Sequence, residues 1–336
     1  AGAVTRAELG RAAAAVADGA RPWLQGDFVW IRTLEYAPMN KGRVDMALSL
    51  RGGGGTVAVK RMPNDWITKS PSEFKVRHPH ASENPWSDLA MLRTLNQRAC
   101  PFVCDLLGLF RDEDFTYVVT SLATEGDFFS FCRSRLLPRP GQAREAAVRP
   151  LAVQMFSAVR WLHARGVAHG DVSLENMVLT RDGSGTIALR LIDFGLSTVA
   201  SQRRGRMGGK HVYLAPEAYC QRVFDQRAAD AFSLGVVLCA ASAKDYPWAS
   251  AKRGACPNFG LYADRGFDAF VAQRAAPCGT RLVDLFSAPL AACLEGLLRV
   301  EPVTRWTVAP TGAGPSVWEA AWLDARASPP RASAAQ

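Results

Sequence analysis

The sequence contains no uninterrupted apolar run of 18 or more residues, which is the length that a membrane-spanning helix requires. The longest apolar stretch, FSLGVVLCAA from Phe232 to Ala241, lies between Asp230 and Lys244. It is too short to cross a bilayer, and it predicts a buried core helix. The chain begins AGAVTRAELG, without methionine or a signal peptide, which is the pattern of a mature or trimmed fragment.

The cysteines lack the spacing of a metal site. Eight are present, but none forms a Cys-x-x-Cys pair or a Cys/His cluster with zinc-binding spacing. Cys239 and Cys293 lie in apolar helical stretches and are predicted core residues. Cys256 and Cys278 lie in a loop-rich stretch and would be able to pair in an oxidising compartment. The sequence leaves that pairing open.

Acidic residues are fewer than basic ones. The chain has 31 Asp+Glu against 40 Lys+Arg, a net charge of +9. Beyond solubility, this balance favours an acidic partner, peripheral association with an anionic membrane, or a phosphorylated ligand. Nucleic acid is disfavoured, because the sequence has no zinc finger, RNA-binding sheet signature or basic helix repeat.

The predicted elements change character along the chain. An Ala-rich helix is predicted from Thr5 to Ala20, with Thr5 and Glu8 in a capping-box pattern. The stretches DFVWIRTLEYA, VDMALSL and TVAVK alternate as strands and predict an antiparallel meander. A helix over Asn84 to Leu95 and a hairpin turning at RDED follow, and helices dominate from about Ala143. The sequence therefore predicts an α+β fold with a small β-rich part before a larger helical part.

Four short motifs occur in order along these elements. They are VAVK ending at Lys60, HGDVSLEN from His169 to Asn176, DFG from Asp193 to Gly195, and APE from Ala215 to Glu217. Each motif alone is a weak signal. Their shared order and their placement on the predicted strands, loops and helices make a strong one.

With these motifs the chain resembles the eukaryotic protein kinase family over roughly residues 26 to 310, and DAFSLGVVL and the late Arg305 add to the resemblance. The resemblance implies a two-lobed protein-kinase fold. A small antiparallel β-sheet N-lobe with one helix would precede a larger, mostly helical C-lobe, with ATP bound between them. The implied boundaries are 1–25 for an N-terminal helical extension, 26–122 for the N-lobe, 123–321 for the C-lobe and 322–336 for a disordered tail.

The resemblance also implies the roles of the motif residues. Lys60 would hold the α- and β-phosphates of ATP, and Asp171 would accept the hydroxyl proton of the substrate. Asn176 and Asp193 would provide oxygen ligands to Mg²⁺. Phosphoryl transfer asks the protein mainly for positioning and charge neutralisation, which these residue types supply.

Further positions would complete the nucleotide site implied by the resemblance. Asp88 matches the acidic residue that pairs with the strand lysine, although its side chain is shorter than the glutamate of the family, and Glu83 is the alternative. Thr120 stands at the gatekeeper position. Leu122 and its neighbours would offer backbone groups to adenine, and Asp127 would reach the ribose.

The glycines of RGGGGTVAVK do not lie where the family has its phosphate-covering loop. That Gly-x-Gly-x-x-Gly loop joins the first two strands, where this chain has PMNKGR with Gly42 alone. Gly52 to Gly55 follow the second strand and are predicted to form a flexible turn. With the N-terminal helix and HGD in place of HRD, this resembles the With-No-Gly-loop branch of apicomplexan rhoptry-kinase relatives. That branch includes active secreted kinases and a bradyzoite pseudokinase, and it implies secretion into the parasitophorous vacuole or the cyst wall.

The catalytic loop departs from the family at two positions. Gly170 replaces the arginine that receives a phosphorylated activation-loop residue, and Arg206 stands near that phosphosite, so activity without activation-loop phosphorylation is predicted. Ser173 replaces the catalytic-loop lysine. We hypothesise that Lys210 replaces the missing charge, and the alternative is a lysine that touches substrate or solvent. Glu175 stands where tyrosine kinases carry arginine, which favours serine/threonine transfer.

The leading hypothesis is an ATP- and Mg²⁺-dependent protein serine/threonine kinase, a transferase. The alternative is a secreted pseudokinase that acts as a binding scaffold, which the missing glycine loop, Asp88 and Ser173 favour. A lipid or small-molecule kinase on the same fold is a third class. The large-lobe helices predicted after YLAPE favour protein substrates over that third class.

Overall fold

The computed structural model describes residues 2–37, 42–51, 54–81, 84–181, 184–204, 208–221, 223–308 and 316–324. The chain forms two compact units. The first comprises Ala1–Phe128, Arg165–His169 and Glu175–Val199, and the second comprises Phe129–Ala164, Gly170–Leu174 and Ala200–Gln336. Several predictions concern residues outside the described ranges: Glu83, Arg206, Gly52, Gly53, positions 38–41 of PMNKGR, and the tail from position 325.

A six-stranded sheet organises the first unit. Its strands are β1 (Arg21–Pro22), β2 (Phe28–Ala37), β3 (Gly42–Ser49), β4 (Gly55–Pro63), β5 (Leu106–Arg111) and β6 (Phe115–Ser121). Their order across the sheet is β1-β5-β6-β4-β3-β2, and every neighbouring pair is antiparallel except β1 with β5. The predicted meander of β2, β3 and β4 and the predicted hairpin of β5 and β6 are confirmed.

The turn between β3 and β4 contains the end of the glycine run. Gly54 has φ of +76° and Gly55 has φ of +132°, a region that L-residues with a side chain rarely adopt. The Gly54 N–H donates to the Arg51 carbonyl at 3.2 Å and closes the turn. For the described glycines the prediction of a turn is confirmed, and the positive φ values explain why glycine stands there.

The described residues of the first unit form four helices. They are α1 (Arg6–Asp18), α2 (Asn64–Ile67), α3 (Pro71–Arg77) and α4 (Pro85–Gln97). Three of them, α1, α3 and α4, begin at side-chain caps. The predicted capping box of α1 is present, because the Thr5 hydroxyl accepts from the Glu8 N–H at 3.2 Å and the Glu8 carboxylate accepts from the Thr5 N–H. Ser70 caps α3 through the N–H of Glu73.

Helix α1 packs along α4. The contact is lined by small residues, Ala12 and Ala13 on α1 and Ala90 on α4, which allow close approach. Arg98, directly after α4, donates to both carboxylate oxygens of Glu8 at 2.9 and 2.8 Å. These hydrogen bonds lower the pKa of Glu8 and keep the pair charged near neutral pH.

Alternation along the strands gives the sheet two apolar faces. Val57 and Val59 of β4 lie on one face, where Trp23 stacks on Tyr117 with ring centroids 3.9 Å apart. Met62 lies on the other face, in a cluster that includes Trp86 and Leu89 of α4 and Val16 of α1. Lys60 alternates with Val59, so it lies on the face that α4 covers.

A second, smaller sheet lies in the same unit. It consists of β7 (Gly126–Asp127), β8 (Met177–Arg181) and β9 (Ile187–Leu191), antiparallel and in that order. The strands β8 and β9 carry HGDVSLEN at their entrance and DFG at their exit, so this hairpin sets the spacing between the two motifs.

The second unit is mainly helical. Its helices are α5 (Phe128–Arg133), α6 (Gln142–His163), α7 (Glu217–Cys220), α8 (Gln226–Ala243), α9 (Pro257–Gln273), α10 (Leu282–Leu285) and α11 (Ala288–Leu298). Its short strands are β10 (Arg203–Arg204) and β11 (Val223–Phe224). Helix α5 starts at Phe128, which is the last residue of the first stretch of the first unit. Short 3-10 helices occupy Val317–Glu319 and Ala321–Leu323, and a further one, Gln25–Asp27, belongs to the first unit. The stretch FSLGVVLCAA forms the buried part of α8, as predicted. The sheet-rich first unit and the helical second unit confirm the predicted α+β kinase fold.

The thiols and the membrane prediction can be compared with the structure directly. None of the eight cysteines, all of which lie among the described residues, is in a disulfide; Cys256 is buried and Cys278 is exposed. None of the helices in the described part of the chain combines the length and the apolarity that a membrane span requires.

A matched pair of glycine substitutions tests the packing of α8 on α11. A Cβ at Gly235 would lie 2.9 Å from Leu297 Cβ and 2.8 Å from Leu298 Cδ2, closer than carbon atoms approach. Overpacking costs about 1–3 kcal/mol, so we expect Gly235→Ala to lower the free energy of unfolding in spite of alanine's helix propensity. A Cβ at Gly10, at an exposed position of α1, meets nothing within 4 Å, and Gly10→Ala should raise stability by about 0.5–1 kcal/mol. Thermal unfolding measures both, and equal shifts of the two variants would contradict the close approach.

Candidate active site

The first part of the candidate site is an ion pair between the sheet and α4. Lys60 Nζ lies 3.2 Å from Asp88 Oδ2. The two side chains are 30% and 15% exposed, so the pair is shielded from water while the ammonium stays accessible to a ligand. The structure thus brings Asp88, rather than a longer glutamate, to the strand lysine.

Local sequence explains why α4 presents Asp88 there. The Asn84 side chain caps the helix by accepting from the N–H groups of Trp86 at 3.0 Å and Ser87 at 3.3 Å, and Pro85 occupies the first helical position. Trp86 and Leu89 are buried and fix the rotation of the helix. Asp88 in the first turn is also favoured by the helix dipole.

The other oxygen of Asp88 binds the DFG segment. Asp88 Oδ1 accepts a hydrogen bond from the backbone N–H of Phe194 at 2.9 Å. One carboxylate therefore holds both the strand lysine and the residue after Asp193. Hydrogen bonds to a charged group contribute about 1.5–3 kcal/mol, which is enough to fix these elements together. Sequence reasoning missed this contact because its donor is a backbone group.

The backbone at Asp193 is strained. Its φ of +62° lies in the left-handed region, which costs a residue with a side chain about 1–3 kcal/mol. Several contacts hold it there: the Gly195 N–H donates to Asp193 Oδ1 at 3.3 Å, the Ser197 hydroxyl donates to the Phe194 carbonyl at 2.7 Å, and the Phe194 ring is buried 5.0 Å from that of His169. Strain of this kind is typical of functional loops.

Asn176 lies next to this loop through the backbone. Its carbonyl accepts from the Ile192 N–H at 3.0 Å, and the residue is buried, with 6% of its surface exposed. Asn176 and Asp193 are thus near-neighbours that carry amide and carboxylate oxygens, the donors that Mg²⁺ prefers. Among the described residues no three His, Cys, Asp or Glu side chains form a metal-binding group. This donor set fits Mg²⁺, which commonly takes one or two protein oxygens together with substrate phosphates and water.

The Asp171 segment belongs to the second unit, where α6 and α8 anchor it. The Gly170 N–H donates to Asp230 Oδ1 at 2.9 Å, and Asp230 Oδ2 lies 2.9 Å from His163 Nε2. Gly170 has φ of +80°, so any other residue there would be strained in this conformation. Backbone conformation is therefore a reason for HGD that is independent of any phosphosite.

A lysine lies beside Asp171. Lys210 Nζ donates to the Ser173 hydroxyl at 2.9 Å and lies 3.6 Å from Asp171 Oδ2. The Ser173 side chain is buried, Asp171 is 13% exposed and Lys210 is 39% exposed. The structure thus brings together the three residues that the hypothesis of a replaced charge requires.

The residues predicted to contact adenine and ribose lie after the sheet. Thr120 is in β6, opposite Ala58 of β4 and Leu106 of β5. Leu122 follows β6 and is half-buried. Asp127 is in β7, opposite Val178 of β8. Thr120 and Leu122 therefore lie on either side of Ser121, the last residue of β6, and Asp127 is paired with β8, the strand that follows Asn176.

Two other contacts of the second unit stabilise the segments around the site. Glu217 of APE and Arg305 form a buried ion pair, in which Arg305 donates to both carboxylate oxygens at 2.6 and 3.0 Å. Sequence reasoning missed Tyr213, whose hydroxyl accepts from the Leu174 N–H at 3.2 Å and lies 2.8 Å from the Tyr246 hydroxyl. A tyrosine directly after GKHV was the available signal, but its backbone partner was not visible in the sequence.

The chain has relatives among known protein kinases. The chain is similar to CBL-interacting protein kinase 4 of Oryza sativa subsp. japonica, with 38% identity over 156 residues, 45% of this chain and 32% of the rice protein. It is 28% identical over 215 residues to serine/threonine-protein kinase ULK3 of Xenopus laevis, covering 61% of this chain and 43% of that protein. It is 26% identical over 208 residues to serine/threonine-protein kinase SIK2 of Gallus gallus, covering 60% of this chain and 24% of that protein. The chain thus spans less than half the length of these relatives.

The family pattern described as the protein kinase domain matches residues 41–314. That range includes each residue of the candidate site described above, from Lys60 to Lys210. This match covers most of the chain, and the chain therefore belongs to the protein kinase family.

Proposed function

We propose that the chain is an active, ATP-dependent protein serine/threonine kinase that works without a glycine-rich phosphate loop. The observation that carries the proposal is the double contact of Asp88 with Lys60 Nζ and the Phe194 N–H. A scaffold that does not bind nucleotide has no need to hold a strand lysine and a strained Asp193 in one fixed arrangement. The short side chain of Asp88, which by itself favoured a pseudokinase, meets this geometry.

The chain's residues have distinct roles in the proposed reaction. Lys60 binds phosphate oxygens of ATP, with Asp88 fixing its ammonium. Asn176 and Asp193 hold Mg²⁺, which when bound neutralises phosphate charge. Asp171 accepts the proton of the substrate hydroxyl as the oxygen of that hydroxyl forms a bond to the γ-phosphorus. The bond between the γ-phosphorus and the bridging oxygen then breaks, and ADP leaves.

Serine and threonine are the proposed acceptors. Glu175 lies four residues after Asp171, at the position where tyrosine kinases carry an arginine. The negative charge of Glu175 cannot take the place of that arginine. The names of the frog and chicken relatives describe serine/threonine-protein kinases. Protein substrates follow from the same comparison.

The branch of the kinase family to which the chain belongs is proposed from the sequence. Gly42 is the single glycine of PMNKGR, and the four-glycine run comes after the second strand of the meander, which supports membership of the With-No-Gly-loop, rhoptry-kinase-related branch. We propose on the same basis that the apicomplexan branch's secretion to the parasitophorous vacuole applies to this chain. The net charge of +9 is consistent with a peripheral or acidic partner there.

The proposed activity is tested by comparing the chain with its Asp171→Asn variant. With ATP, Mg²⁺ and a serine/threonine peptide library, the wild-type chain should transfer phosphate, and the variant should lose about 10²–10⁴-fold in rate because the proton acceptor is gone. Both proteins should be stabilised by ATP with Mg²⁺ in a thermal-shift titration, since the variant keeps the binding residues. Stabilisation without transfer by either protein would instead support the scaffold.

The double contact of Asp88 predicts a graded loss. Asp88→Asn keeps an acceptor for the Phe194 N–H but removes the charge beside Lys60, and Asp88→Ala removes both contacts. Each charged hydrogen bond contributes about 1.5–3 kcal/mol, so we expect kcat/KM to fall about 10-fold or more for Asn and further for Ala.

Asp18→Ala, an exposed change on α1, is the control and should leave kcat/KM unchanged. Equal losses for Asp88→Asn and Asp88→Ala would show that the bond to Phe194 does not contribute. No loss in either variant would show that the ion pair is dispensable.

A further inference from the structure

We propose that Lys210 is a catalytic residue that supplies the positive charge for the transferring phosphoryl group, and that the buried Ser173 hydroxyl holds it in place. The inference rests on the proposed function and adds a residue to its machinery. It concerns only the second unit, where Asp171, Ser173 and Lys210 all lie.

The segment around Asp171 contains no cationic side chain of its own. Residues 170–176 read GDVSLEN and contain no Lys, Arg or His. Phosphoryl transfer spreads negative charge over the three equatorial oxygens of the moving group, and a positive group beside the proton acceptor stabilises that charge. A charge for this segment must therefore come from another part of the chain.

Lys210 provides a cation next to Asp171 and Ser173. Its ammonium donates to Ser173 Oγ at 2.9 Å and lies 3.6 Å from Asp171 Oδ2. Ser173 is buried, so its hydroxyl has a fixed direction, whereas Lys210 is 39% exposed and its ammonium can be reached from solvent. An ion pair this exposed contributes about 0–1 kcal/mol to stability, so folding alone is a weak reason for a lysine here.

The backbone that carries Lys210 lies close to the Asp171 segment. Gly209 has φ of +112°, and a Cβ there would lie 3.0 Å from Asp171 Oδ1, so glycine lets this segment approach the Asp171 carboxylate. The Tyr213 N–H donates to the Lys210 carbonyl at 3.0 Å, and the Tyr213 hydroxyl accepts from Leu174. On one side of Lys210, Gly209 therefore lies close to Asp171, and on the other side Tyr213 is hydrogen-bonded to the segment that contains Asp171.

The charge balance of the reaction gives Lys210 its role. The substrate hydroxyl oxygen forms a bond to the γ-phosphorus, its proton moves to the Asp171 carboxylate, and the electron pair of the broken bond leaves with ADP. Lys210 neither gains nor loses a proton in this step. It donates hydrogen bonds to phosphoryl oxygens whose interaction with it strengthens in the transition state.

The contact between Ser173 and Lys210 allows an exchange experiment. Lys210→Thr removes the charge, and the double variant Ser173→Lys with Lys210→Thr returns an ammonium one hydrogen bond away from its original place. Lys252→Thr, an exposed lysine of the same unit, is the matched control. Thermal unfolding confirms that all variants are folded.

We expect Lys210→Thr to lower kcat about 10²-fold and to raise the KM for ATP only severalfold, because the contact with the γ-phosphate strengthens in the transition state. The double variant should regain at least tenfold, and Lys252→Thr should match the wild type. Calorimetry supplies a readout besides turnover. Lys210→Thr should bind a non-hydrolysable ATP analogue severalfold more weakly with Mg²⁺ but bind ADP unchanged, because ADP lacks the γ-phosphate.

Different failures separate the two proposals. If the wild-type chain transfers phosphate but Lys210→Thr turns over equally fast or faster, Lys210 is a surface or inhibitory residue and the inference is wrong. A double variant that is folded but no more active than Lys210→Thr would also overturn it. If the wild-type chain transfers no phosphate while Asp171→Asn behaves identically, the proposed kinase activity fails. The analogue-versus-ADP comparison then still decides whether Lys210 contacts a γ-phosphate.

Discussion

The arrangement of the candidate site in the first unit depends on one carboxylate. Asp88 joins β4 to the DFG segment by holding Lys60 Nζ with one oxygen and the Phe194 N–H with the other. The aspartate side chain is one methylene shorter than glutamate, so α4 must lie close to the sheet for both contacts to form. Trp86 and Leu89 provide that closeness by burying the neighbouring positions of the helix against Met62 and Val118. Hydrophobic packing of the helix against the sheet thereby sets the geometry of its polar contacts.

Much of the fold could be predicted from the sequence, because its helices and strands follow from patterns of neighbouring residues. Alternation predicted β2, β3 and β4, the capping box predicted the start of α1, and continuous apolar character predicted buried α8. The motif order led to the protein kinase family, which the match over residues 41–314 shows. The branch within the family stays a prediction, since it rests on a loop whose positions 38–41 lie outside the described residues.

The parts of the site that sequence did not reveal involve backbone groups and distant segments. Phe194 reaches Asp88 through its N–H, and Tyr213 reaches Leu174 through the N–H of that residue, so side-chain identities carry no trace of either contact. Gly170 appeared as the loss of a phosphate-receiving arginine, but its φ of +80° is a conformational reason for glycine. Lys210 was predicted because Ser173 replaces the catalytic-loop lysine, and that replacement is visible in the sequence.

The packing of α1 on α4 connects a remote region to the site. Arg98 ends the same helix whose first turn carries Asp88, ten residues or about 15 Å away, and it grips Glu8 together with the Gly2 and Ala3 carbonyls. A rigid helix transmits a displacement at one end to the other. Residues of α1 therefore help to hold the helix whose first turn positions Lys60, so a substitution far from the motifs would change the geometry around them.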